Sequence, residues 1–176
     1  SVLILLSQPY RLKRLTGYWE PWSSENVYGS GYQLTQSLIA FGRGEFGGVG
    51  LGNSIQKLFY LPEAHTDFVF AIWSEETGLL GALILISLFI FIFIKGMMLG
   101  RKAYLTENFF AAYMAYGISL LIGFQAFINL GVNMGLLPTK GLTLPFISYG
   151  GSSLLACSVA MALLLRVYHE MEPSKE

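Results

Sequence analysis

The sequence predicts an all-α, polytopic membrane protein, and three features of the whole chain lead to that prediction. Only 12% of the 176 residues are charged, whereas soluble domains average about 25%. Hydrophobic residues make up 53% of the chain, and the mean hydropathy is +0.53. Three apolar runs without any charge occupy 78–94, 108–132 and 147–165. The formal net charge of zero gives no reason to expect nucleic acid binding, and a single cysteine excludes a disulfide framework.

Each apolar run fits a helix across the bilayer. The hydrocarbon core is about 30 Å thick, and a helix needs about 20 residues to cross it. The chain opens on a short apolar stretch with basic residues after it, the reverse order of a signal peptide. We therefore expect the chain to begin with the end of a truncated helix. The helix end occupies 1–7, and a large loop with an amphipathic helix follows at 8–67. We predict transmembrane helices at 68–98, 108–133 and 147–166. Loops at 99–107 and 134–146 connect them, and a tail at 167–176 ends the chain.

The short loops predict the orientation of the helices in the membrane. The segment between the first two long runs carries Lys95, Arg101 and Lys102, and an excess of basic residues is typical of cytoplasmic loops. The opposite loop at 134–146 carries only Lys140, so we place it outside together with the large loop.

Two parts of the large outer loop have a recognisable character. At 32–41 apolar residues recur at helical spacing (Leu34, Leu38, Phe41), with Gln33, Gln36 and Ser37 elsewhere, which predicts an amphipathic helix at the outer leaflet. The stretch 42–52 then contains six glycines in eleven residues, and it also carries Arg43. Such a loop needs unusual backbone dihedrals or lets the backbone approach a ligand closely.

Asp67, the only aspartate in the chain, comes just before the first long apolar run. An ionisable residue at the mouth of a transmembrane helix suggests a functional site. If a helix begins at Pro62, Glu63 and Asp67 stand one turn apart on one face, and His65 points away from both. Repulsion between two carboxylates should raise the pKa of one of them, and a carboxylate with a raised pKa can serve as a general base near neutral pH. The alternative is that both carboxylates cap a helix N-terminus.

Other polar residues lie within or beside the predicted spans. Gln125, Asn129 and Asn133 form a stripe that must face protein or a cavity, with helix–helix hydrogen bonding as the commoner explanation. For Glu75 and Glu76 we expect that one or both are neutralised by a neighbouring helix or by water, and the alternative is a direct ligand role. Lys140 either reaches towards lipid headgroups or binds a phosphate as a point charge.

Five motifs together resemble the SEDS family of bacterial shape, elongation, division and sporulation proteins. They are GYQLTQS at 31–37, AFGRG at 40–44, LPEAHTDF at 61–68, LPTKG at 137–141 and PFISYGGSS at 145–153. Their order and spacing match the family over nearly the whole chain. Ala64 and the run 139–143 resemble the division branch of the family more than the elongation branch.

The resemblance implies a bundle of ten transmembrane helices, of which this chain would be the C-terminal part. It implies a peptidoglycan glycosyltransferase that polymerises lipid II and releases undecaprenyl diphosphate in the bacterial inner membrane, at the division septum. It also implies a class B penicillin-binding protein and other divisome proteins as partners, besides membrane lipids. We predict Asp67 as the catalytic residue, and as substrate-binding residues Lys140, Arg43, Glu63, His65, Ser148 and Ser152.

No metal ligand is predicted, although a divalent cation, Mg²⁺ or Mn²⁺, could share the charge of a diphosphate. Two other functions are open at this point. A lipid II flippase would use the polar stripe as a translocation path, and a non-catalytic divisome scaffold would hold the transpeptidase without bond chemistry.

Overall fold

The computed structural model describes residues 18–24, 26–29, 31–57, 65–139 and 141–171 of the chain. Within these ranges the long elements are four helices and there is no strand: α1 at Tyr32–Gly44, α2 at Val69–Leu105, α3 at Phe109–Asn133 and α4 at Gly151–Met171. The last three are long and apolar enough to cross a membrane. The predicted helix end at 1–7 lies outside the described residues.

Helix α1 extends the predicted amphipathic segment to Gly44, and it packs on α2 and α3. Its buried face includes Leu34 and Ala40, as the apolar spacing indicates. Ser37, which we placed on the polar side, is instead fully buried, and its hydroxyl donates to the backbone carbonyl of Asn133 at 2.7 Å. A short hydroxyl side chain can be buried because it finds a carbonyl acceptor there.

Helix α2 contains 37 residues and is broken at Gly78, whose φ of 69° and ψ of −165° are not helical. The glycine-rich loop fills the break: Leu79 N–H donates to the Glu45 carbonyl at 2.9 Å, and Val49 N–H donates to the Glu75 carbonyl at 3.0 Å. A Cβ on Gly78 would stand 2.4 Å from the Gly48 nitrogen. The close backbone approach that the glycines suggested is therefore an approach to another part of the same chain.

Beyond the break, α2 continues to Leu105, whereas we predicted a loop from residue 99. Basic residues mark where the bilayer ends, and a helix can run on past that point. Ala103 is fully buried there and packs with Ala111 and Val167, so this end of α2 belongs to the core. The connection to α3 is short, and the Asn108 side chain caps α3 by accepting from Ala111 N–H at 3.2 Å.

Small residues let α2 and α3 lie close together, and two of them are spaced as Gly96-x-x-x-Gly100. A Cβ on Gly96 would stand 1.9 Å from the Ser119 hydroxyl oxygen, and one on Gly100 would stand 2.7 Å from the Tyr116 ring. This close packing fixes the register of the two helices at these positions.

Helix α4 begins at Gly151, four residues later than the predicted position 147. Residues 145–147 form a turn, with Phe146 at a φ of 66°. Tyr149 N–H donates to the His65 carbonyl at 2.8 Å, which ties the segment before α4 to the segment before α2. The apolar run at 147 is therefore continuous in sequence but is not helical from its start. At its other end α4 reaches Met171, five residues beyond the predicted boundary at 166.

Candidate active site at the N-terminus of α2

Asp67 lies two residues before α2, and the side-chain amides of two asparagines on α3 hold its backbone carbonyl. Asn129 Nδ2 and Asn133 Nδ2 each donate to this carbonyl oxygen at 2.9 Å. The next residue, Phe68, is only 2% exposed and packs into the core with Ala71 and Val132. The half-buried Asp67 is therefore fixed on its backbone side by α3 and on its C-terminal side by the core.

The loop before α4 lies against the Asp67 carboxylate. A Cβ built on Gly141 would stand 2.9 Å from Asp67 Oδ2. The loop is anchored by Leu144, which is 1% exposed and packs between α2 and α3, and by Asn129 Nδ2, which donates to the Leu142 carbonyl. Two segments that are distant in sequence, each carrying one of the predicted motifs, thus meet at this carboxylate.

Ser148 ties the two segments together a second time. Its hydroxyl donates to the Thr66 carbonyl and accepts from Leu144 N–H at 2.7 Å. We predicted Ser148 as a substrate-binding residue, but it is only 8% exposed and its hydroxyl makes both of these hydrogen bonds to the protein backbone. Ser152 is exposed at the start of α4, and it is the neighbouring Ser153 whose hydroxyl contacts the Thr143 hydroxyl at 3.0 Å.

His65 is exposed and borders an open pocket of about 370 Å³ beside the Asp67 segment. The pocket is also lined by Val69, Ile147 and Tyr149. Tyr149 is 81% exposed, so an aromatic face and an imidazole border a space wide enough for part of a ligand.

Arg43 faces a different carboxylate. Its Nη1 lies 3.6 Å from Glu75 Oε1, and Glu75 is fully buried. The Glu75 carboxylate also accepts from the Ser54 hydroxyl and from Ile55 N–H and Gln56 N–H at 3.3 Å. The partners of this carboxylate therefore come from α1 and from the loop that follows it.

The neighbouring Glu76 pairs with Lys57, whose Nζ lies 2.7 Å from Glu76 Oε1. Both glutamates of α2 thus have partners in the large loop and α1, rather than in another transmembrane helix or in water alone. These contacts hold the loop onto α2 just before the break at Gly78.

The polar stripe on α3 bonds to backbone carbonyls near Asp67 and in the 141–150 loop. Gln125 Nε2 donates to the Thr143 carbonyl at 2.9 Å, in line with Asn129 and Asn133. The spacing placed these residues on one face, but it did not show that their partner is the backbone around Asp67. The only signal in the sequence was the coincidence of a buried polar stripe with breaker-rich loops at the same end of the bundle.

Two predicted site residues, Glu63 and Lys140, lie outside the described residues. Lys140 directly precedes Gly141 in the sequence. Within the part of the chain that the structure describes, no three His, Cys, Asp or Glu side chains gather as a metal site.

The motifs and the fold agree with a known family. The sequence model of the FtsW/RodA/SpoVE family of cell cycle proteins matches residues 1–172 of this chain. The chain belongs to this family. The resemblance to SEDS proteins is thereby confirmed.

Curated relatives of this family are highly similar over nearly the whole chain. The probable peptidoglycan glycosyltransferase FtsW of Hahella chejuensis is 64% identical over 168 residues, which cover 96% of this chain and 42% of the relative. The protein of the same description from Coxiella burnetii is 57% identical over 171 residues, covering 97% and 45%. The chain spans less than half the length of these relatives.

Two solved structures share the fold. One comes from work on the structural coordination of polymerization and crosslinking by a peptidoglycan synthase complex. It has a TM-score of 0.66 and 32% identity, and the match covers 96% of this chain and 44% of the chain in that complex. The other, an aspartate-to-alanine variant of the rod shape determining protein RodA of Thermus thermophilus, has a TM-score of 0.57 and 29% identity, covering 98% and 54%. They confirm the all-α fold, and the family's relatives and the three apolar helices make this a multi-pass membrane protein.

Proposed function

We propose that this chain is the C-terminal part of a peptidoglycan glycosyltransferase of the division branch, which polymerises lipid II into glycan strands. The observation that carries the proposal is the meeting of two motif segments at the Asp67 carboxylate, with Gly141 against Oδ2. The description of the FtsW relatives as probable peptidoglycan glycosyltransferases supports the same reaction.

In this proposal Asp67 is the general base. It takes the proton from the 4-hydroxyl of the acceptor sugar as that oxygen attacks the anomeric carbon of the donor. The bond between this carbon and the diphosphate breaks in the same step, and undecaprenyl diphosphate leaves with the electron pair. A single displacement inverts the anomeric centre, so an α-linked donor gives a β-linked strand.

The charge that develops on the leaving diphosphate requires cationic or N–H groups nearby. Lys140 is our first candidate, because it precedes the residue that contacts the Asp67 carboxylate. Arg43 is a weaker candidate than its sequence suggested, since its guanidinium pairs with buried Glu75. Glu63 would tune Asp67, His65 and Ser152 would contact the sugar or phosphate, and Ser148 would hold the loop in place.

A divalent cation, Mg²⁺ or Mn²⁺, would supply charge neutralisation at the diphosphate. The described residues provide one carboxylate, Asp67, at the proposed reaction centre. No protein ligand set for such an ion follows from them, and the mechanism above uses none.

The partner would be a class B penicillin-binding protein, together with other divisome proteins, in the inner membrane at the septum. This part of the proposal is supported by the match to a peptidoglycan synthase complex that couples polymerisation with crosslinking. The basic residues near the α2–α3 connection support a cytoplasmic position for that end of the bundle, and thus an outer position for Asp67.

The test is polymerisation of lipid II by the full-length protein with its transpeptidase partner in detergent. Asp67→Asn keeps the shape of the side chain and removes the base, and we expect it to abolish polymer formation. Lys140→Ala should also abolish it while the protein still inserts. Wild-type polymer formation by Asp67→Asn would remove Asp67 from the chemistry, and unchanged activity of Lys140→Ala would favour headgroup contact for that lysine.

The flippase alternative loses the observation that suggested it. The stripe at 125, 129 and 133 is bonded to the backbone around Asp67 and in the 141–150 loop rather than lining an aqueous path. Polymer formed in detergent, where there are no two compartments, separates an enzyme from a transporter. A scaffold would keep division intact in Asp67→Asn cells, which the enzyme would not.

A further inference from the structure

Asn129 and Asn133 form a pair that contacts both segments around the proposed base. Both side chains are buried, at 2% and 0% exposure. Each donates to the Asp67 carbonyl at 2.9 Å, and Asn129 Nδ2 also donates to the Leu142 carbonyl. One pair of amides therefore sets the distance between the segment that carries Asp67 and the loop that lies on its carboxylate.

Asn133 also accepts a hydrogen bond from the first turn of α2. The N-cap residue Phe68 makes no side-chain cap, and Asn133 Oδ1 accepts from Ala71 N–H at 3.1 Å. This bond comes from a neighbouring helix, and it gives Ala71 N–H a second acceptor besides the Phe68 carbonyl at 3.0 Å. Through its two ends the Asn133 side chain holds the backbone on both sides of Phe68.

The pair is itself held rigidly. Asn133 Nδ2 donates to the Asn129 carbonyl at 2.9 Å, and the Asn133 carbonyl accepts from the Ser37 hydroxyl at 2.7 Å. Buried amides that are bonded on all sides have a single orientation, so they can transmit a defined position to what they contact.

We propose that Asn129 and Asn133 are positioning residues for Asp67, which fix the direction of its carboxylate towards the acceptor hydroxyl. This inference rests on the proposed function. Two donors on its carbonyl restrict rotation of the Asp67 backbone, and a base displaced by about 1 Å loses on the order of 100-fold in rate. Their removal should therefore lower kcat while leaving substrate affinity in place.

The experiment measures kcat and KM for lipid II polymerisation by full-length Asn129→Ala and Asn133→Ala with the transpeptidase partner, per mole of monodisperse protein. We expect kcat to fall about 10- to 100-fold and KM to stay within about threefold of wild type. Asn129→Ala leaves the Asn133 donor on the Asp67 carbonyl, so it is the milder variant and decides the matter if Asn133→Ala does not fold. Ser119→Ala is the matched control, because Ser119 is a buried polar residue of the same helix whose hydroxyl donates to the Ala115 carbonyl, one turn back, at 2.6 Å.

A second measurement separates positioning from a general loss of structure. In an Asp67→Glu background the carboxylate is already displaced, so the asparagine substitutions should lower kcat by much less than they do in wild type. Equal fold losses in both backgrounds would overturn the positioning role, as would wild-type kcat in both single variants. If Asp67→Asn itself polymerises normally, the proposed function fails, which is a distinct result from failure of the positioning role.

Discussion

Gly141 lies directly against the Asp67 side chain: a Cβ at position 141 would stand 2.9 Å from Oδ2. The contact is tighter than real Cβ atoms normally make, yet its partner is the end of a side chain and can move. A side chain at 141 would therefore displace the carboxylate rather than unfold the loop, which Leu144 anchors in the core.

We expect Gly141→Ala to insert and fold while polymerising lipid II more slowly. Displacement of the base should reduce kcat by about 10- to 100-fold, with a stability loss below about 1 kcal/mol. The rate is measured in detergent, and the thermal midpoint by intrinsic fluorescence. Gly117→Ala is the control, because position 117 has open space around it. Wild-type kcat in Gly141→Ala would show that the reaction tolerates movement of the Asp67 carboxylate.

Gly78→Ala should destabilise the protein at the break in α2. Position 78 has a positive φ with an extended ψ, and a Cβ there would stand 2.6 Å from the Phe46 carbonyl oxygen. Strain of about 1–3 kcal/mol adds to the loss of loop hydrogen bonds of about 1 kcal/mol each, such as the one from Leu79 N–H to Glu45. We expect a lower thermal midpoint and faster proteolysis in the 45–57 loop.

The control for Gly78→Ala is a glycine substitution that should raise stability instead of lowering it. Gly42 lies inside α1 with open space at its Cβ position and no positive φ. Gly42→Ala should therefore raise stability by about 0.5–1 kcal/mol, since alanine is the better helix former. A stable, protease-resistant Gly78→Ala protein would mean that the loop does not depend on the helix break.

The bundle could be predicted from sequence where one segment decides its own structure. Helix α3 is bounded by Asn108 and Asn133 on either side of an uncharged run, and the structure gives the same helix to within one residue. The charge deficit and the three apolar runs likewise determine the all-α membrane class. Apolar length and capping residues are local properties, so a single sequence contains them.

The parts that were not predictable depend on contacts between distant segments. The break at Gly78 exists because residues 45–50 supply hydrogen bonds to α2, and nothing near Gly78 in the sequence marks it. The later start of α4 depends on Ser148 and Tyr149 bonding to the segment at 65–66. Periodicity placed Asn129 and Asn133 on one face, but their acceptor is a backbone carbonyl, which every residue has and which leaves no sequence pattern.

The role of Arg43 can be decided by comparing it with the carboxylate it faces. Glu75 is fully buried and accepts three hydrogen bonds from Ser54, Ile55 and Gln56, while the Arg43 guanidinium is at 3.6 Å with 39% of its side chain exposed. Glu75→Gln replaces one acceptor oxygen by an NH₂ group facing donors, which should destabilise the protein by about 2–4 kcal/mol. Arg43→Gln removes a partner that solvent screens, so we expect a loss of stability of about 1 kcal/mol.

Thermal unfolding of both full-length variants should show the larger loss in Glu75→Gln. Equal losses would show that the ion pair, not the loop, holds the Glu75 carboxylate. If Arg43→Gln is nearly as stable as wild type but polymerises lipid II poorly, Arg43 acts on the substrate through its exposed part.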